Sequence, residues 1–150
     1  MSTRSKIIIR TPQPNEFQAW SGLWRSYLAF YQTERPTSVY QSTWERFFIN
    51  GEFEPECRVA ELDGELVGLV HFFQHRHCWS VENVVYLQDL FVSQNARGNS
   101  VGRQLIGAVY AAADNLGASN VYWMTQDFND TARALYDRIG EKTPFIKYQR

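Results

Sequence analysis

Residues 97–103 read Arg-Gly-Asn-Ser-Val-Gly-Arg, and both the residue types and their spacing fit the binding of a phosphate. Gly98 lets the backbone approach a ligand closely, and Gly102 leaves room where a side chain would block it. Arg97 and Arg103 flank the turn with charge-assisted donors. From Val101 onward the spacing becomes helical, with Leu105, Ile106, Val109, Tyr110 and Leu116 on one face. The loop therefore opens into a helix N-terminus, where unpaired amides and the positive end of the dipole stabilise an anion. A plain strand-to-helix turn with solvated arginines has the same composition, and spacing alone leaves both readings open. Two phosphate motifs are excluded. There is no Gly-Lys-Ser/Thr, as a nucleoside triphosphate loop requires. Gly98 and Gly102 lack the dinucleotide spacing, and their loop comes after a fourth strand instead of a first.

Other residue types have chemistry of their own. His71, His75 and His77 alternate, so a regular strand puts them on one face. A His-x-His pair can chelate a metal, but lining a site or a sheet surface needs no metal, and none is assigned. Tyr136 lies at helical spacing and reads as packing when taken alone. Trp20, Trp24 and Tyr27 read as core for the same reason. Arg133 and Arg138 fit either a phosphate or a solvated helix face.

The elements that must position these residues emerge from periodicity. Residues 6–10 (KIIIR) form a first strand, ended by Pro12 and Pro14. Asn15 caps a helix carrying Phe17, Trp20, Leu23, Trp24, Tyr27, Leu28 and Tyr31 on one face. Residues 39–50 form a second helix, closed by Asn50-Gly51. Asp63-Gly64 joins two strands of a hairpin, the second running to about His77. Residues 84–92 (VVYLQDLFV) are a nearly continuous apolar strand of the sheet centre. Then come the helix to about Gly117, a strand over 119–125, a helix over 130–139 ending at Gly140, and a last strand over 143–149 (TPFIKYQ). The order β-α-α-β-β-β-α-β-α-β is that of a single-domain mixed α/β sheet over residues 1–150.

Composition narrows the function. The 150 residues suffice for one domain with a core. Lys and Arg number 15 against 16 Asp and Glu. A general nucleic-acid or membrane-surface binder would carry a basic excess, so any anion site is local. Two cysteines, Cys57 and Cys78, make no disulfide framework and fit a reducing, cytoplasmic setting. The apolar run near the N-terminus is three residues long, too short for a signal peptide or a membrane span.

Arg97 to Arg103, lying between a fourth strand and a third helix, resembles the acetyl-CoA pyrophosphate loop of the Gcn5-related N-acetyltransferases, Arg/Gln-x-x-Gly-x-Gly/Ala. Asn129, Ala132, Leu135, Tyr136 and Gly140 are similar to a second stretch of that family. The element order agrees along nearly the whole chain. YLQDLFV, NVYW and PFIKYQR look closest to a subgroup of fungal histone, polyamine and D-amino-acid acetyltransferases, and the strand pair from His71 to Val92 resembles spermidine/spermine acetyltransferases. One position departs: Ser100 stands at the family's first glycine. A serine there can cap the helix and bond a phosphate through its hydroxyl, or crowd the pyrophosphate.

The resemblance implies splayed fourth and fifth strands with acetyl-CoA in the gap, and no metal. Loop residues Arg97, Gly98, Asn99, Ser100, Val101, Gly102 and Arg103 would hold its phosphates. Leu90, Phe91 and Val92 would bond its pantetheine through their backbone, with Asn129 opposite. The Leu90 N–H would meet the tetrahedral oxyanion, and Tyr136 would bind the cofactor and give the leaving thiolate a proton. Family bases stand on the inner face of the fourth strand. Alternation puts Tyr86, Gln88 and Leu90 on one face and turns Asp89 away unless a bulge intervenes. Neither Tyr86 nor Gln88 is a base near neutral pH, so Gln88 would hold a water or the amine. Tyr31, Glu34, His71, Tyr86 and Gln88 are the expected substrate contacts. The resulting reading is direct acetylation of a primary amine on a small molecule, polyamine or amino-acid-like, by a homodimer. A weak acyl-CoA sensing module and a protein or histone lysine acetyltransferase remain open beside it.

Overall fold

The computed structural model describes residues 6–150. Five strands line up in sequence order, β1 (Ile7–Arg10), β2 (Glu56–Leu62), β3 (Glu65–His75), β4 (Val84–Val92) and β5 (Val121–Tyr122). The first four pair antiparallel, and β5 joins β4 in parallel. The β2–β3 hairpin turns on Asp63 and Gly64, both at positive φ (52° and 83°). This is the paired left-handed geometry whose twist matches the strands it joins.

Helices cover both sheet faces. On one lie α1 (Phe17–Phe30) and α2 (Thr37–Arg46), whose Trp20, Leu23, Trp24, Leu28, Tyr40 and Trp44 pack on Cys57, Val59 and Leu69. On the other lies α3 (Val101–Leu116), whose Val101, Leu105, Ile106, Val109 and Ala113 pack on Val70, Phe72, Val85 and Leu87. α4 (Asp130–Ile139) adds Leu135, Tyr136 and Ile139 to that core. Gly68 sets how near α3 comes: a Cβ there would stand 3.1 Å from both Val101 Cγ1 and the Phe91 carbonyl.

Several expected boundaries move. The chain enters α1 through a 3-10 turn, Pro14–Glu16, tied by the Gln13 N–H to Glu16 Oε1 (2.7 Å), so Asn15 is not the cap. α2 stops at Arg46, short of Asn50-Gly51. β3 stops at His75, which leaves His77 beyond the strand, and β5 keeps two of seven expected residues. The last expected strand does not form: residues 143–149 have no ladder partner among the described residues, and Phe145, Ile146 and Tyr148 are each three-quarters or more exposed.

Candidate active site

The β4–β5 ladder holds only two pairs, Val85–Val121 and Tyr86–Tyr122. From Leu87 to Val92 that edge of β4 has no strand beside it among the described residues, so the expected splay is present. At the far end of the open edge stands the start of α3. The first amide there to find a backbone acceptor is Gln104 N–H, on the Ser100 carbonyl at 3.0 Å. Those of Val101, Gly102 and Arg103 are the orphan donors of the helix end. Arg97 and Arg103 are exposed, and neither forms an ion pair among the described residues. Gly98 (φ 87°) and Ser100 (φ 60°) both stand in left-handed backbone, and alternation of hand folds successive amides into a concavity suited to an anion. Ser100 makes no side-chain cap bond. The expectation of a capping hydroxyl is therefore corrected, and the family's glycine at this place has a reason: the backbone there is left-handed. Asn99 bonds the Ala96 carbonyl through its side chain (3.1 Å). A Cβ on Gly102 would face Leu135 and Val92, in the crease between α4 and β4.

Midway along β4 the alternation breaks. Phe72 pairs with Leu87 and His71 with Asp89, so Gln88 is an extra residue without a ladder partner. Such a bulge re-aims the side chains beyond it. Tyr86, Gln88 and Leu90 therefore do not share a face. Tyr86 lies on the α1 side with Phe73, Leu90 packs on the α3 side, and Gln88 is exposed. Asp89 turns toward α1, where it is buried. The Tyr27 hydroxyl donates to its Oδ1 (2.7 Å), and His71 Nδ1 lies 3.0 Å from its Oδ2. Trp20 Nε1–H donates to His71 Nε2 at 3.0 Å. His71 is 3 % exposed with both ring nitrogens engaged, so the expectation that it touches substrate is corrected: it stands behind Asp89.

Tyrosines gather around this carboxylate. Tyr27 is pushed well above its ordinary pKa by burial and then by the charge of Asp89. Tyr31, at the end of α1, is raised by burial and by the same charge, and Tyr86 by burial, Tyr122 and Asp89. Tyr136 is pushed up to about 12, chiefly by burial and further by Tyr31. Asp89 thus raises Tyr31, and Tyr31 in turn raises Tyr136. The ring of Tyr136 meets Trp123 edge-on at 5.6 Å. Asn129 caps α4, its Oδ1 accepting the Ala132 N–H at 3.3 Å. Glu34 is exposed between α1 and α2, away from any pairing that the described residues record. No group of His, Cys, Asp and Glu suited to a metal occurs among the described residues.

Sequence reasoning missed Asp89, Tyr27 and Trp20. The available signal was the adjacent polar pair Gln88-Asp89 inside an otherwise apolar strand covered on both faces. A regular pleat cannot send two neighbours to one side, so such a pair marks an irregularity.

Known proteins are similar to this chain in sequence and fold. The chain is 36% identical to the D-amino-acid N-acetyltransferase HPA3 of Saccharomyces cerevisiae over 97% of its length and 91% of that protein's. It is 29% identical to the uncharacterised N-acetyltransferase YhfO of Bacillus subtilis over 93% and 94%. Its fold superposes on the aminoglycoside N-acetyltransferase AAC(6')-Iy, solved in complex with CoA, with a TM-score of 0.86 at 22% identity, covering 100% and 97% of the two chains. The acetyltransferase (GNAT) family profile matches residues 18–140. With that profile spanning most of the chain and a relative 36% identical over nearly its whole length, the chain belongs to the acetyltransferase (GNAT) family and is an N-acetyltransferase.

Proposed function

We propose that this enzyme moves the acetyl group of acetyl-CoA directly to the primary amine of a small molecule, a polyamine or an amino-acid-like compound. The observation that carries the reading is Asp89: a buried carboxylate beside the open β4 edge, hydrogen-bonded by Tyr27 and His71 and ion-paired with no Lys or Arg among the described residues. A buried charge of this kind calls for a counter-ion, and a substrate ammonium supplies one. The thialysine N-epsilon-acetyltransferase of Mus musculus, 34% identical over 56% of this chain, and the D-amino-acid enzyme above support an amino-acid-like acceptor.

Each group has its own part in the reaction. The amides and arginines of residues 97–103 take the pyrophosphate, and Leu90 and Val92 offer backbone to the pantetheine, with the amide of Asn129 opposite. The expected backbone contact from Phe91 is dropped, because Phe91 pairs with Leu69 of β3 and its backbone faces that strand. The amine arrives as an ammonium, since free amines have a pKa near 10, and Asp89 takes up its proton. The freed lone pair forms the N–C bond at the thioester carbonyl, whose oxyanion meets the Leu90 N–H. The C–S bond breaks and Tyr136 gives a proton to the sulfur; the proton lost by the new amide nitrogen returns to the Tyr136 oxygen, and Asp89 passes the proton it took from the ammonium to solvent. Held near 12, Tyr136 keeps its proton at every working pH and releases it only as negative charge develops on sulfur. Tyr31, Tyr86 and the exposed Gln88 contact the amine or a water beside it, and Glu34 guards the outer rim. Asp89 supplies a carboxylate where Tyr86 and Gln88 offered no base.

Assembly as a homodimer through the exposed segment after α4, in the cytoplasm, completes the reading. No helix among the described residues is long and apolar enough to cross a membrane. The test is thiol release from acetyl-CoA with spermidine, D- and L-amino acids, thialysine and a lysine peptide as acceptors. Turnover of a small amine is expected, and preference for the peptide would move the enzyme to the protein class.

A further inference from the structure

Asp89 is held in place by a chain of neutral donors. An indole N–H can only donate, so the 3.0 Å bond from Trp20 makes His71 Nε2 an acceptor without a proton. The single imidazole proton then sits on Nδ1 and is donated to Asp89 Oδ2 at 3.0 Å. The ring cannot swing away. Trp24 packs on it at 4.9 Å, Phe47 at 5.0 Å and Trp20 at 5.7 Å. Tyr27 fixes the other carboxylate oxygen at 2.7 Å. Both oxygens are thereby oriented while the negative charge stays uncancelled.

We infer that His71 is a positioning residue, locked by Trp20 as the neutral Nδ1–H tautomer, which aims Asp89 at the substrate ammonium without neutralising it. The inference rests on the proposed role of Asp89 as the ammonium's partner. It assigns a division of labour: Asp89 touches the amine, whereas His71 acts only through Asp89. A protonated imidazole in the same place would fill the role that belongs to the substrate.

Two measurements test this. Imidazole nitrogen NMR on the whole chain at pH 7 reads the tautomer directly. Protonated Nδ1 with bare Nε2 at His71 is expected, and an imidazolium or an Nε2–H ring overturns the inference whatever the substrate is. Kinetics come second, with the panel amine turned over fastest. His71→Leu is expected to raise the amine KM at least about tenfold, in line with loss of a hydrogen bond to a charge, with kcat changed less. Acetyl-CoA affinity should stay within about threefold, because the site of action is the amine's. His71→Asn, whose amide can still donate to Asp89, should recover most of the lost KM. If His71→Leu keeps its KM, or if His71→Asn is as impaired as His71→Leu while melting at the same temperature, the positioning role is wrong. Asp89→Asn separates this from its premise. An unchanged KM there defeats the ammonium reading itself, whereas a damaged Asp89→Asn beside an unaffected His71→Leu defeats only the inference.

Discussion

Single residues carry both a strain and a proton. Ser100 holds φ 60° and ψ 24° at the mouth of α3 with no hydroxyl cap bond. A non-glycine residue in this region costs about 1 kcal/mol. Ser100→Gly should therefore raise stability by about 0.5–1 kcal/mol, less than the whole strain because glycine is freer when unfolded. Ser100→Ala should change stability little, since no cap is lost. Denaturant titration of both variants checks the pair, and equal stability of Gly and Ala would contradict the strain. For Tyr136, removing only the oxygen in Tyr136→Phe should lower kcat at least about tenfold and leave acetyl-CoA affinity by calorimetry within about threefold. The raised pKa also fixes the sign of a pH effect. A phenol near 12 keeps its proton as pH rises to about 10. The kcat profile should then show no alkaline fall due to Tyr136 below that point, and an alkaline limb that vanishes in Tyr136→Phe would contradict the effect of burial.

Among the elements, α3 and β4 do most to build the site, and they were unequally legible in the sequence. Gly102 lies in the first turn of α3, facing Leu135 and Val92. Gly102→Asp puts a negative charge where orphan amides and the helix dipole favour an anion. Because that place also tolerates aspartate electrostatically, the fold should survive while acetyl-CoA affinity drops by at least about tenfold; unchanged affinity would remove the phosphate from this loop. The boundaries of β4, α3 and α4 were legible because their signals are local: an apolar run bounded by Asn83 and Ser93, a helical stripe ending on Gly117, and Asn129 to Gly140 around a short amphipathic turn. The bulge at Gln88 was not legible as such. It depends on the register between β3 and β4, a long-range property, and a slip of one residue sends every later side chain to the opposite face. Asp89 and Leu90 changed sides for that reason, which brings Asp89 to Tyr27 and His71. The buried role of His71 was hidden likewise, since only the packing of α1 on the sheet brings Trp20 to it.

At the scale of the whole molecule, the segment after α4 leaves apolar side chains uncovered. Phe145, Ile146 and Tyr148 are exposed in a segment with strand-like alternation and no strand to pair with. A strand signal is half of a pair, and β5, only two residues long, offers little edge within the chain. Such apolar exposure marks an interaction surface. A dimer is therefore expected by sedimentation, weakened at least about tenfold in Phe145→Ser/Ile146→Ser with the fold intact; a wild-type monomer at all concentrations would contradict it. Above all, the assembled molecule is expected to pass a thioester's acetyl group straight to an amine. Thiol release and intact protein mass, followed together with acetyl-CoA alone and then with the preferred small amine, read this step. Direct transfer predicts one thiol for each acetylated amine, no release above background without amine, and an unmodified chain throughout. Thiol release without amine, accompanied by an acetyl group on the protein, would contradict it.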